Sequence, residues 1–319
     1  MARRSIVCTL FENDYHLGAG VLANSLHASG FEGIFCAGYR GDLPAWAAAA
    51  REDDGVHIFS AGPVEIEFHR LETDRNLTNY KPEFLQQMWN RHGAQAPAIY
   101  FFDADIFVIA PWNFFENWAA AGLALVADGN SPLPVNHPLR VAWRSHYEPH
   151  GFRFARQTDY HFNGGFVGIS RERVGLLQDW ERIQVIMSRE VRFDLPITLP
   201  GAPDWQRRRT FPFYLTDQDA LNIVADLEGV VISAVGSEGM GWKQPEDYMY
   251  HACGADKPWR RSYIRRSLRG SPPTLLDLEF WRLAHSPLEI FPKQLAKEVS
   301  REMRCARACA RLGRILAPT

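Results

Sequence analysis

The sequence predicts an α/β protein with a mostly parallel sheet flanked by helices, and three observations carry that prediction. Short apolar runs alternate with helical patterns along the N-terminal part of the chain. The composition, 319 residues with 46% apolar and 13% aromatic side chains, can bury a sizeable core as one large domain or two unequal ones. The apolar run "APAIYFFDADIFVI" carries Asp103 and Asp105 in its middle, as expected of a strand whose carboxyl end meets a ligand.

The elements follow in order. "SIVCTLF" (5–11) reads as a first strand, "LGAGVLANSLHASG" (17–30) as a helix and "GIFCAGY" (33–39) as a second strand. "LPAWAAAARED" (43–53) reads as a second helix and "VHIFSA" (56–61) as a third strand. "KPEFLQQMWNRHG" (81–93) is helical and feeds "AIYFFDADIFVI" (98–109), and "LALVADG" (123–129) supplies another strand. From about residue 130 to 160, and again from about 193 to 213, the pattern dissolves into Pro, His, Arg and aromatics, which reads as lids or binding loops, with disorder as the alternative.

A formal net charge of -2 excludes the basic excess of a nucleic-acid binder. The average hides a division: residues 257–319 hold 14 Lys and Arg against 5 Asp and Glu, net +9, leaving net -11 for the rest. The start, "MARRSIVCTLF", is basic and then apolar, but it breaks at Glu12, Asn13 and Asp14, too early for a signal peptide or a membrane span. The 5 cysteines form neither a disulfide framework nor a zinc spacing, which favours a reducing, cytoplasmic setting.

An ionised Asp buried without a partner is costly, so something positive must meet Asp103 and Asp105. In an extended chain residues two apart point to one side, and two converging carboxylates suit a hard cation such as Mg²⁺ or Mn²⁺; a pair of turn aspartates is the alternative. In "YHFNGGFVGIS", Asn163 and the following glycines let backbone approach a ligand, or form a turn. "LTDQDALNIV" sets Asp217, Gln218 and Asp219 at a helix start, where Thr216 or Asp217 could equally cap the helix. In "YHACGADKPW", His251 and Lys257 read singly as a structural imidazole and a solvated ammonium, but together with the carboxylate pair they offer a metal ligand and a partner for phosphate oxygens. Tyr15 in "NDYHLGAGVLANSL" can stack on a base or cover the core.

In this order, "NDYHLGAGVLANSL", "FFDADIFV", "FNGGF", "TDQDALN" and "HACGADKPW" resemble the retaining glycosyltransferases of family 8, the glycogenin and bacterial lipopolysaccharide galactosyltransferase type, over about residues 5–259. The resemblance implies the GT-A fold, with a catalytic domain over 1–270 and a basic helical tail over 271–319. It implies that Asp103, Asp105 and His251 hold a Mn²⁺ (or Mg²⁺) bridging the diphosphate of a UDP-sugar. By the same resemblance Lys257 and the Gly254 backbone hold the phosphates, and Tyr15 lies on the uracil near backbone groups of Thr9 and Leu10. Asn163, Gly164, Asp217 and Gln218 would contact the donor sugar, with Lys81, or else Arg75, as the basic residue upstream of the carboxylate pair. The segments 130–160 and 186–215 have no counterpart in the pattern.

The implied reaction moves a hexose, glucose or galactose, from a UDP-sugar to a hydroxyl of a glycan or lipid-linked acceptor. Retention follows from a covalent intermediate on Asp217 or Gln218, or from front-face attack with the leaving phosphate as base, which is favoured because Gln is a poor nucleophile. A glycoside hydrolase, which needs carboxylates several ångströms apart, and a sugar-nucleotide-binding module without turnover are the alternatives. A nucleotidyltransferase is weaker, because no basic residue follows Gly18 and Gly20. In the tail, "KQLAKEVSREMRCARACARLGRILA" places Leu295, Val299 and Met303 at four-residue steps among many Lys and Arg. Such a helix either lies on an anionic membrane surface, here the cytoplasmic face of the inner membrane, or docks on the catalytic domain.

Overall fold

Strand β1 (Ile6–Glu12) shows the layout, because its side chains alternate between two cores. Val7 and Phe11 pack on one side of the sheet, and Ile6, Cys8 and Leu10 on the other. Burial of both faces is why such strands read as unbroken apolar runs. The computed structural model describes residues 4–190, 212–213, 216–243 and 247–316.

Helix α1 (His16–Ala28) follows a single 3-10 turn, and β2 (Ile34–Arg40) comes next. The helix expected over 43–53 does not form. Only Ala45–Ala47 makes a 3-10 turn, and Arg51–Asp53 is an edge strand, β3, antiparallel to β4 (Val56–Ala61). All three side chains of β3 are exposed, so no apolar period announces it, and its backbone pairing outweighs the helix propensity of the alanines. β4 turns at Gly62, φ +62°, into β5 (Val64–Arg70).

Helix α2 (Lys81–His92) leads to β6 (Ala98–Phe102) and β7 (Ile106–Val108), then α3 (Trp112–Ala121) and β8 (Leu123–Val126). The stretch expected to be irregular over 130–160 contains helix α4 (Pro138–Tyr147). Its buried residues are Arg140, Trp143, Arg144 and Tyr147, a regular helical spacing concealed because two of the four are arginines facing Asp226. After β9 (Phe166–Ser170) come α5 (Leu176–Glu190), α6 (Thr216–Ala225), β10 (Ile232–Val235) and β11 (Met249–His251). The chain closes with α7 (Tyr263–Leu268), α8 (Leu275–Leu283) and α9 (Lys293–Leu316). Most of the loop expected over 193–213 lies outside the described residues.

The main sheet has the order β10-β8-β9-β6-β1-β2-β5-β4-β3. Seven of its nine strands point the same way, and only β9 and β4 run against them. The sheet is therefore mixed and mostly parallel, as the sequence predicts. Helices α1, α3, α7, α8 and α9 cover one face, and α2, α4, α5 and α6 the other. The C-terminal helices share the core of the first face: Phe280, Trp281, Met303 and Ala306 are buried with Val7 and Phe35. Asn24 of α1 donates from Nδ2 to the carbonyls of Leu283 and Leu288, and its Oδ1 accepts from the Leu288 N–H.

Candidate active site

The carboxylate pair is not presented by one continuous strand. After Phe102 the chain leaves the sheet in a turn, with Ile106 N–H donating to the Asp103 carbonyl at 2.9 Å, and β7 starts a separate two-stranded sheet with β11. Asp103 N–H donates to the carbonyl of Gly165 (2.7 Å), the residue before β9, so the turn is anchored to a neighbouring segment as well as by its own bond. Convergence of the two side chains follows from this turn and not from strand alternation. Gly18 permits it: a Cβ there would lie 2.1 Å from the Ala104 carbonyl oxygen, so only glycine lets α1 pack on the turn.

The antiparallel register of β11 on β7 pairs His251 with Ile106, and Ala252 N–H donates to the Asp105 carbonyl. His251 Nε2 thereby lies 3.3 Å from Asp105 Oδ1. Trp242 stacks on the imidazole at 5.7 Å, fixing its plane. Asp103, Asp105 and His251 each offer a ligating atom, all within 4.8 Å of one another.

The charges are matched. Lys81 is buried (1% exposed), and its Nζ reaches Asp103 Oδ1 and Asp217 Oδ2, both at 3.0 Å, and the Gly164 carbonyl at 2.8 Å. Arg75 turns instead to Glu83. Lys257 binds Asp105 Oδ2 and donates to the Ala252 carbonyl (2.8 Å), with the Tyr15 ring 5.1 Å away. Burial alone would raise the Asp105 carboxyl, but His251 and Lys257 hold it well below the usual carboxylate range. Burial would lower His251, yet the Asp105 charge pushes it up to about 10. Asp103 differs: burial, with the neighbouring Asp105 charge, raises it against the pull of Lys81.

A second set of bonds organises the glycine segment before β9. Gln218 Oε1 accepts from Gly164 N–H (3.0 Å) and faces Asn163 Nδ2 (3.4 Å), while Gly165 N–H donates to Asn163 Oδ1. Gln218 Nε2 is buried without a protein partner, while the His251 imidazole also has the Cys253 thiol within reach. Asp128, which the sequence reading passed over, accepts from Asn163 Nδ2 at 2.8 Å. It lies just past the end of β8, and a carboxylate ending an apolar strand is the same signal that marked Asp103.

A cleft of about 290 Å³ opens beside the turn, lined by Leu10, Phe11, Glu12, Tyr15, Asn76, Leu77, Thr78, Asp103, Ala104 and Asp105. Of the other expected residues, Thr9 is fully buried in β1 and is not part of that lining, and Gly254 sits on an exposed loop at φ +82°. Trp259 Nε1 and Arg260 both donate to Asp14, tying this C-terminal loop to the turn that carries Tyr15.

Sheet order, the small β7–β11 sheet and the placement of the carboxylate turn define an α/β protein of the GT-A glycosyltransferase fold. Solved structures bear this out. The chain is similar to the galactosyltransferase LgtC in complex with donor and acceptor sugar analogs, at TM-score 0.50 and 18% identity over 91% of this chain and 98% of that one. It is similar to an active site mutant of LgtC at TM-score 0.50 and 16% identity, with the same coverage. It is also similar to the bifunctional glycosyltransferase WbbM at TM-score 0.51 and 12% identity, over 95% of this chain and 52% of that one. No family profile and no curated protein sequence matches the chain.

Proposed function

We propose that the protein is a retaining glycosyltransferase that moves a hexose, glucose or galactose, from a UDP-sugar to a hydroxyl of a glycan or lipid-linked acceptor. The observation that carries this reading is the convergence of Asp103, Asp105 and His251 within 4.8 Å beside the cleft that Tyr15 and Leu10 line. Two carboxylates and an imidazole are a donor set that fits Mn²⁺ or Mg²⁺. When bound, such an ion supplies Lewis-acid stabilisation of the charge on a leaving diphosphate.

The chain's own residues do the rest. Tyr15 offers a face for the uracil, and Lys257, beside it, an ammonium for the phosphate oxygens, with the Gly254 backbone close in sequence. Lys81 holds Asp103 and Asp217 in place, and Gln218, Asn163 and Gly164 form a rigid polar wall for the sugar. Front-face attack is favoured over a covalent intermediate, because Asp217 is committed to the Lys81 ion pair and the Gln218 carbonyl to two amide donors. LgtC, solved with donor and acceptor sugar analogs, supports sugar transfer as the reading for this fold. The basic groove on α9 supports peripheral attachment to an anionic surface, which suits a lipid-linked acceptor; no described helix is long and apolar enough to cross a membrane.

The test is UDP release from a panel of UDP-sugars with Mn²⁺ present and after chelation, followed by the anomeric configuration of the product. Release is expected only with metal, and Asp105→Ala and His251→Ala should abolish it while circular dichroism stays unchanged. Full activity in both variants overturns the metal assignment.

A further inference from the structure

Beneath α2, on the face of the sheet that Cys8 and Leu10 also line, a second group of ligating side chains meets. Cys36 on β2, and Glu67 and His69 on β5, offer ligating atoms within 4.8 Å of one another. His92, at the C-terminal end of α2, joins them: its Nε2 and that of His69 both lie 2.9 Å from the same oxygen, Glu67 Oε2. The Cys36 thiol is within hydrogen-bonding reach of both imidazoles. We propose that Cys36, Glu67, His69 and His92 form a second metal site, a closed structural site for Zn²⁺ that fastens the far end of α2 to the sheet.

The geometry is close to what zinc requires. Tetrahedral bonds of about 2.0–2.3 Å give ligand-to-ligand edges of about 3.3–3.8 Å, inside the 4.8 Å separation of Cys36, Glu67 and His69 and slightly wider than the 2.9 Å carboxylate contact that brings in His92. One thiolate and one carboxylate balance the two charges of the ion, so a site with two neutral imidazoles is neutral overall, as burial demands. Cys36 is fully buried and Glu67 is 3% exposed, while the side chains of His69 and His92, at 11% and 14%, leave a way in. Binding releases the Cys36 thiol proton and the protons that the imidazoles now share with Glu67. Without metal, burial keeps the thiol protonated, well above its ordinary value, with the Cys8 thiol beside it raising it further. Arg91 Nε, 3.6 Å from Glu67 Oε2, belongs to an exposed side chain and can swing away.

The site matters because of what α2 carries. Lys81 at its first turn bridges Asp103 and Asp217, and His92 ends it about 16 Å away at 1.5 Å per residue. A metal tie at one end restrains the helix that positions the ammonium at the other.

The experiment uses the full chain, stripped of metal by chelation and titrated with Zn²⁺, or with Co²⁺ as a spectroscopic probe. One equivalent of Zn²⁺ should resist dialysis in wild type and in Asp105→Ala, and be lost in Cys36→Ser and His92→Gln. Co²⁺ should give a thiolate charge-transfer band that survives Cys253→Ser and vanishes in Cys36→Ser. Should Cys36→Ser fail to fold, His92→Gln at the accessible edge and the wild-type stoichiometry still decide. Wild type without tightly held Zn²⁺, or a band that persists in Cys36→Ser, overturns the proposal; loss of glycosyl transfer with Zn²⁺ still tightly held bears on the proposed function and not on this site.

Discussion

The Lys81 ammonium lies 3.0 Å from Asp103 Oδ1, and the same nitrogen is 3.0 Å from Asp217 Oδ2. One buried cation thus couples the carboxylate turn to the start of α6, elements far apart in sequence. Its ion pairs raise its own pKa against burial, so it stays charged throughout the working range. Lys81→Met leaves two carboxylates facing each other without compensation, a loss of roughly 3 kcal/mol by analogy with broken buried pairs. A lower melting temperature together with lost UDP release is expected; unchanged values for both would show that Lys81 is dispensable.

Gly165 sets the spacing between the carboxylate turn and the histidine. A Cβ there would lie 2.8 Å from His251 Cε1, 2.9 Å from Asn163 Oδ1 and 3.0 Å from Asp103 Oδ2. Gly165→Ala must therefore push the ligating groups apart. Disturbing the groups that orient metal ligands costs about 10- to 100-fold in metal affinity. The Mn²⁺ concentration for half-maximal UDP release should rise by that factor, with thermal stability lowered far less than in Lys81→Met.

Much of this was legible in the sequence, and the rest was hidden for identifiable reasons. Strands β1, β2 and β6 and helices α1 and α2 stand where their apolar periods put them, because each buries a regular face. Helix α4 escaped because Arg140 and Arg144 occupy core positions, which no apolar count registers. The turn at Asp103 escaped because its fixing bond comes from Gly165, a tertiary contact across strands. That Lys81 meets Asp103 and Asp217 depends likewise on the folding of distant segments, whereas Arg75, equally placed in sequence, pairs locally with Glu83.

Asp128 gives a dependence on pH. Against the burial that raises it, the His161 imidazole, the Asn163 amide and the Asn130 N–H hold its carboxyl well below the ordinary value of 3.8. A depressed carboxyl stabilises the fold above its unfolded pKa, and that stabilisation is lost as pH falls below it. Asp128→Asn should therefore be less stable than wild type near pH 7, with the gap in melting temperature narrowing once pH falls below about 4 and closing only as pH falls through the depressed folded value. A gap that stays constant on acidification would show that the carboxylate's charge contributes nothing.

The C-terminal helices combine a buried and a charged face, and the two call for different tests. Phe280, Trp281, Leu283, Leu288, Ile290 and Phe291 are buried against the core of the sheet. At about 1.5–3 kcal/mol each they contribute on the order of 10 kcal/mol, comparable with a whole domain's stability. Truncation after Gly270 is thus expected to yield insoluble protein and says nothing about membranes. The exposed face of α9 is different: Lys293, Lys297, Arg301 and Arg304 line one groove of about 480 Å³ with His285. Each basic residue near an anionic surface adds about 1 kcal/mol, so replacing these four by Gln should weaken partitioning onto phosphatidylserine vesicles about a thousandfold. The fold should survive, because the buried Met303 and Ala306 on the opposite face of α9 are untouched. Partitioning that is unchanged by the four substitutions, with melting temperature preserved, would leave α9 as a docked helix and nothing more.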